Sequence, residues 1–161
     1  DTIRLVNPFF DDFLLRPIPG NEDYIRLEWL ERGSDYPFLA HHISDGTLRF
    51  MCLGPLLLQP ELPSTILVDE PELGLHPYAI VVLASLMKSA SQRTQIIVST
   101  QSVAGVKQFD AENLLIVERD EPRGMYETVI TRVDPTRLSS WLEDYSLGEL
   151  WEKNVLGGRP Q

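Results

Sequence analysis

Basic residues are scarce in this chain: 14 Lys and Arg stand against 24 Asp and Glu over 161 residues, a formal net charge of −10. Nucleic-acid-binding surfaces ordinarily carry a basic footprint. No cluster of basic residues stands out here, which argues against direct duplex binding by this segment. Cysteine is nearly absent. The single Cys52 excludes an internal disulfide framework, and its apolar neighbours predict a small buried core residue rather than a reactive thiol. No apolar run approaches the length of a membrane span, and no signal peptide opens the chain. Together these predict a cytoplasmic protein with no membrane partner. One more absence bears on chemistry. No Gly-x-x-x-x-Gly-Lys-Ser/Thr occurs anywhere in the sequence, so the P-loop, whose backbone and Lys cradle nucleotide phosphates, is missing.

What is present centres on residues 64–77, Ser-Thr-Ile-Leu-Val-Asp-Glu-Pro-Glu-Leu-Gly-Leu-His-Pro. An apolar run rich in branched residues predicts a buried parallel strand. It ends in Asp69-Glu70, at the edge where open α/β sheets bind ligands. Adjacent acids there suit two tasks, one holding a hard cation such as Mg²⁺ and one orienting or deprotonating a water. Taken alone, the pair is equally well read as the solvated end of an ordinary strand. Pro71 and Gly74 force a turn, and His76-Pro77 opens a helix predicted over 77–90, with Ile80, Leu83, Ala84 and Met87 on its apolar stripe. A second buried strand over 94–100 completes a βαβ unit.

Upstream, residues 41–53 read His-His-Ile-Ser-Asp-Gly-Thr-Leu-Arg-Phe-Met-Cys-Leu. Ser44 or Asp45 caps a helix whose first turn offers unpaired N–H groups, a phosphate seat that Gly46 leaves open to close approach. The plainer reading of Ser-Asp-Gly is a simple helix cap. Pro55 predicts a kink or an early break in that helix. His41 and His42 point to opposite sides on an extended segment and have no partner at ligand spacing, so no metal site is assigned to them.

The flanks are less informative. Residues 7–15 read as a short helix capped by Asn7 with Pro8 in its first turn, residues 17–21 as a turn, 24–31 as a strand with one solvated face, and 36–40 as a returning strand. Residues 113–119 form a third predicted strand and 125–133 a partner with alternating exposure. Asp134-Pro135 starts a helix with Leu138, Trp141, Leu142 and Tyr145 on one face. A short amphipathic helix and a Gly-rich tail follow. The hydrophobic content of 43% suits one core, hence a single domain over 1–161: lead-in strands and helix over 1–42, a central block over 43–119, and a hairpin with helices over 120–161.

In order, Ser44-Asp45-Gly46-Thr47, the strand ending Asp69-Glu70, the turn Leu73-Gly74-Leu75-His76 and Ser99-Thr100-Gln101-Ser102 resemble the signature motif, Walker B, D-loop and switch loop of ABC-type ATPases. The resemblance is to the RecF/SMC-like (AAA_21-type) bacterial branch and spans roughly residues 42–160. It implies an α/β fold, the C-terminal lobe of an ABC-type P-loop ATPase, with a mostly parallel sheet, flanking helices and a C-terminal helical tail. It also implies ATP and Mg²⁺ as ligands, an N-terminal P-loop lobe outside this chain, and a second copy bound head-to-tail around ATP. By position, Asp69 would hold the Mg²⁺ shell, Glu70 would polarise the attacking water, and Gln101 would sense the γ-phosphate. Ser44, Asp45 and Gly46 would meet the γ-phosphate of the opposite copy, while Leu73, Gly74 and His76 would couple the two sites. The switch loop departs from the usual pattern, because Gln101 stands where His is common; Gln donates a hydrogen bond but carries no titrating proton. Without its P-loop the segment alone is expected to be inactive. Two other functions fit parts of the sequence. One is a non-catalytic interaction module, favoured by the absent P-loop and disfavoured by the paired acids. The other is the ATPase part of a DNA-repair or defence nuclease, suggested by a faint likeness of 113–119 to the start of a Toprim module.

Overall fold

The computed structural model describes residues 1–120 and 126–158, which divide into two compact units, Asp1–Ser99 and Thr100–Gln161. The first opens with α1 (Thr2–Val6), followed by β1 (Phe10–Ile18), β2 (Asn21–Glu31) and β3 (Phe38–Leu39) in one antiparallel sheet of order β1-β2-β3. The short helix expected over 7–15 does not form. Asn7 instead ends α1, and the residues after it become β1. Local capping signals lose to aromatic pairing across the sheet. Phe13 lies opposite Trp29 in the register, Phe10 stacks on Trp29 with centroids 6.1 Å apart, and Trp29 meets Phe38 at 5.1 Å. Such ring pairs add about 0.5–1.5 kcal/mol each beyond the area they bury. Gly20, at φ +81°, makes the tight reversal between β1 and β2. Pro17 is tolerated within β1 because that strand lies at the sheet's edge.

The second layer of this unit is helical. Ser44 caps α2 (Asp45–Leu58), and its Oγ accepts a hydrogen bond from the Thr47 amide at 3.2 Å. The helix does not break early at Pro55 but continues to Leu58. Burial of Phe50, Gly54 and Leu57 along one stripe, and packing of α2 on α3 (Pro77–Ala90), hold it past the lost hydrogen bond. Cys52 is exposed, not buried. It lies about 200° around the helix from Phe50, on the far side from that stripe. In α3 the expected stripe of Ile80, Leu83, Ala84 and Met87 is buried, joined by Ala79 and Ala90.

Between these helices in sequence runs β4 (Thr65–Asp69), and after α3 comes β5 (Gln95–Ser99), paired in parallel with Ile66 opposite Ile96 and Asp69 opposite Ser99. The βαβ unit read from the sequence is therefore present. Its strands are not buried on both faces, however. Leu67 is 74% exposed and Ile97, opposite it, 46%. Ile66 and Val68 point inward while Leu67 and Asp69 share an outward face. The α/β class holds, with parallel pairing confined to β4–β5 among the described residues.

The second unit contains α4 (Val103–Val106), β6 (Leu115–Asp120), β7 (Glu127–Arg132), α5 (Pro135–Leu142) and α6 (Leu147–Glu152). Its core gathers Val106, Ala111, Leu138, Leu147 and Leu150, flanked by Leu114, Tyr145 and Trp151. β7 pairs antiparallel with β6, but all six of its residues are exposed, so the alternation expected over 125–133 is absent. Among the described residues β6 is its one partner and no layer covers it. Met125 and the tail residues Arg159 and Pro160 lie outside the described residues. In α5 only Leu138 of the expected face is buried, with Trp141 and Leu142 exposed.

Candidate functional site

The carboxyl end of β4 builds the site. Asp69 is the last residue of the strand and lies on its outward, exposed face. Its Oδ1 accepts a hydrogen bond from Ser99 Oγ, the residue opposite it on β5. A hydroxyl bound to a carboxylate at a strand edge orients the acid and leaves its other oxygen available for a hard cation. Glu70 follows with φ +41°, in the left-handed region that a side chain occupies at a cost of about 1–2 kcal/mol. Three main-chain contacts fix this turn. The Glu70 amide donates to Ser99 O at 2.9 Å, and Glu70 O accepts from the Leu73 amide at 3.1 Å. Glu70 O also accepts from Arg49 Nη1 of α2 at 2.6 Å.

The turn then meets the start of α2. A Cβ on Gly46 would lie on the Gly74 carbonyl, 2.6 Å from its carbon and 3.1 Å from Leu75 N. Gly46 is therefore buried under the loop's own backbone and not open to a phosphate as its place after Ser44-Asp45 suggests, because the turn packs where the phosphate would approach. Gly74 itself needs its φ of +77°. Ser44 and Asp45 stay exposed at the helix start. Leu73 is exposed, and His76 caps α3, its Nδ1 accepting from the Tyr78 amide at 3.2 Å. Within this unit the structure thus brings together Asp69, Glu70, Gly46 and Gly74, with Ser44, Asp45, Leu73 and His76 around them.

Gln101 belongs to the second unit. Its side chain is exposed, and its carbonyl accepts from Trp151 Nε1 at 3.3 Å. Ser102 Oγ caps α4 through the Gly105 amide at 3.2 Å. Among the described residues no three His, Cys, Asp or Glu side chains cluster as a metal cage. Mg²⁺ does not require one, since it is bound by one or two carboxylates plus substrate phosphates and water. The Asp69–Ser99 oxygen pair fits that donor chemistry.

Arg49 and the link from Ser99 to Asp69 join the site without a motif in the sequence to mark them. Ser99 could have been found from the strand register, which places it level with Asp69. Arg49 carried no local signal, because its partner is a main-chain carbonyl 21 residues away.

The sequence model of the AAA_21 family, described as "AAA domain, putative AbiEii toxin, Type IV TA system", matches residues 3–105. The chain belongs to this family of AAA-domain ATPases. The matched range contains the Ser44 helix start, both acids and Gln101. Comparison with curated proteins gives no match. Among solved structures the AAA-domain chain resembles an SMC ATPase described under "Structural biochemistry of ATP-driven dimerization and DNA stimulated activation of SMC ATPases" (TM-score 0.54, 17% identity, 90% of this chain and 88% of that one). It also resembles the Smc head domain of Pyrococcus furiosus with an extended coiled coil, bound to the C-terminal domain of ScpA (0.59, 18%, 89% and 35%). A third similar structure is an Smc head bound to the C-winged helix domain of ScpA (0.60, 16%, 84% and 41%). At these identities the shared property is the fold of an SMC ATPase head. The chain spans most of the first structure and about two fifths or less of the other two. No helix among the described residues is long and apolar enough to cross a membrane.

Proposed function

We propose that this chain supplies the Walker B, signature, D-loop and switch-loop half of an ATP-hydrolysing site, completed by a P-loop lobe and by a second copy of the ATPase. The observation that carries this reading is the pair of acids at the end of β4, one bound by Ser99 and the other held in a left-handed turn. A solvated strand end has no need of either restraint. Asp69 would hold the Mg²⁺ shell, with Ser99 orienting its carboxylate. Mg²⁺, when bound, neutralises charge on the phosphate oxygens. Glu70 orients and deprotonates the attacking water, and Gln101 donates a hydrogen bond to the γ-phosphate. Ser44 and Asp45, exposed at the start of α2, face the γ-phosphate held by the second copy, while Gly46, covered by Gly74, seats that helix start against the turn. Leu73, Gly74 and His76 couple the two sites. Catalysis in such a site is positioning plus charge stabilisation. The exposed Leu67–Ile97 face of β4–β5 supports a further layer supplied by the P-loop lobe, and the SMC-head fold supports ATP-dependent pairing of two copies.

The test is Glu70→Gln in the protein that carries both this segment and its P-loop. ATP should still bind while turnover falls at least about 100-fold, the usual contribution of a general base. Turnover at the wild-type rate sinks the assignment. The isolated segment should bind ATP weakly or not at all in calorimetry, and micromolar binding would place the nucleotide elsewhere.

A further inference from the structure

We infer that Arg49 is a positioning residue for Glu70, tying the signature helix to the catalytic turn of the same subunit; the inference rests on the hydrolytic reading of Glu70 given above. Arg49 lies one turn into α2, is half-buried, and spans from that helix to the Glu70 carbonyl at 2.6 Å. Its target is not an ordinary carbonyl. Glu70 has φ +41°, a conformation that reverts to an extended or right-handed one unless its surroundings hold it. The peptide after Glu70 is where such a reversion would turn, and Arg49 grips the oxygen of that peptide. A guanidinium donor makes a short, charge-assisted bond and keeps its charge at all pH values a protein survives.

A second observation joins the same two elements. Gly46, near the start of α2, is packed so closely under Gly74 that no Cβ fits between them. The helix start and the turn over residues 70–74 are therefore fastened at two points, one polar at Arg49 and one steric at Gly46. A displacement of the Ser44 end of α2 is transmitted to the Glu70 peptide. The side chain that orients water then depends on where the signature helix sits. Glu70's own amide bond to Ser99 O fixes the strand side of the turn and the Leu73 amide closes it from within, while Arg49 ties it to the helix.

Arg49→Ala, Arg49→Lys, Glu70→Gln and the Arg49→Ala/Glu70→Gln double variant, made in the full-length protein, test this. Steady-state ATP turnover is measured together with binding of a fluorescent ATP analogue. Arg49→Ala should lower kcat roughly 10- to 100-fold, the scale of a misplaced catalytic group, with KM and analogue binding unchanged within about twofold. Arg49→Lys, which keeps a charged donor, should recover part of that loss. In the Glu70→Gln background Arg49→Ala should cost nothing more, because the group it positions is gone. Wild-type kcat in Arg49→Ala, a Lys variant as poor as the Ala one, or a further loss of about tenfold in the double variant would each overturn the inference. Should Arg49→Ala not fold, Arg49→Gln takes its place in the same comparisons. A Glu70→Gln enzyme that hydrolyses ATP normally would fell the site reading itself. An inert Glu70→Gln enzyme beside a fully active Arg49→Ala enzyme would fell only the role of Arg49.

Discussion

Gly46 lies directly beneath the Gly74 carbonyl, near enough that a β-carbon on Gly46 would stand 2.6 Å from the Gly74 carbonyl carbon. The obstacle is backbone, so it cannot rotate away as a side chain would. Gly46→Ala should therefore push the turn off α2 and cost about 1–3 kcal/mol, the range for overpacking a tight contact. Chemical denaturation of the purified chain reads this as a lower midpoint with an unchanged slope. An unchanged midpoint would mean that the two elements separate freely. Asp45→Ala, one residue earlier at an exposed position, should lose far less.

Ser99 makes the second testable link. Its hydroxyl donates to Asp69 Oδ1 across the β4–β5 pair. Removing a group that orients a metal-binding carboxylate commonly lowers metal affinity about 10- to 100-fold. On the proposed Mg²⁺ role of Asp69, in a protein that carries this segment together with a P-loop, Ser99→Ala should raise the Mg²⁺ concentration needed for half-maximal turnover by that factor, while turnover at saturating Mg²⁺ stays close to wild type. Ser99→Thr keeps the hydroxyl and should stay near wild type. An equal Mg²⁺ requirement in Ser99→Ala and wild type would show that the hydroxyl does not prepare Asp69.

The elements that could be read from the sequence are those whose signals are local and agree with one another. Ser44, His76-Pro77 and Asp134-Pro135 marked the starts of α2, α3 and α5, and each cap is in place. The acids fell at the end of β4 because an apolar run followed by Asp-Glu-Pro leaves little choice of boundary. What failed depended on distant partners. Residues 10–15 carry a helix cap nearby, yet Phe13 belongs opposite Trp29 and Phe10 stacks on that ring. Cys52 looked buried because its neighbours are apolar, but helical geometry sets it on the opposite side from Phe50. Leu67 and Ile97 have the composition of interior strand residues, yet they face outward. The same limit hid Arg49, whose role exists only once α2 folds over the turn at Glu70.

Two carboxylates in the second unit set a pH dependence. Asp134 is held below the ordinary carboxylate range first by the Thr136 hydroxyl and then by the Thr136 amide. Glu149 is lowered in the same way by the Ser146 hydroxyl and amide, closing a capping box on α6. A folded pKa below the unfolded one means that the unfolded chain binds more protons in the interval between them, so stability rises with pH there. The stabilisation is complete above the unfolded value, near 4, and is lost as the pH falls through the lowered folded values. The α5–α6 region should therefore melt at lower temperature as the pH drops below about 4. Asp134→Asn retains a capping oxygen without a titrating proton, and together with Glu149→Gln it should flatten that dependence in circular-dichroism melts. An unchanged slope in the double variant would assign the pH response to other groups.

Gly148 and Trp151 make α6 the support of the segment from Gln101 to Lys107. A Cβ on Gly148 would stand 2.8 Å from the Val103 carbonyl oxygen and 3.3 Å from Lys107 Cβ, so α6 presses against α4 with no room for a methyl group. One turn further along α6, Trp151 Nε1 donates to the Gln101 carbonyl at 3.3 Å. The first contact is steric and the second polar, and they bracket the segment from Gln101 to Lys107. Gly148→Ala should therefore destabilise the chain by about 1–3 kcal/mol and raise amide hydrogen exchange across residues 101–107. Trp151→Phe keeps the ring but not the donor. It should cost at most about 1 kcal/mol, the range for one neutral hydrogen bond, and raise exchange mainly at the amides next to Gln101. Exchange in 101–107 that is unchanged in both variants would show that the loop holds its conformation without α6. In that event the Gly148 contact would be a packing feature of the second unit alone.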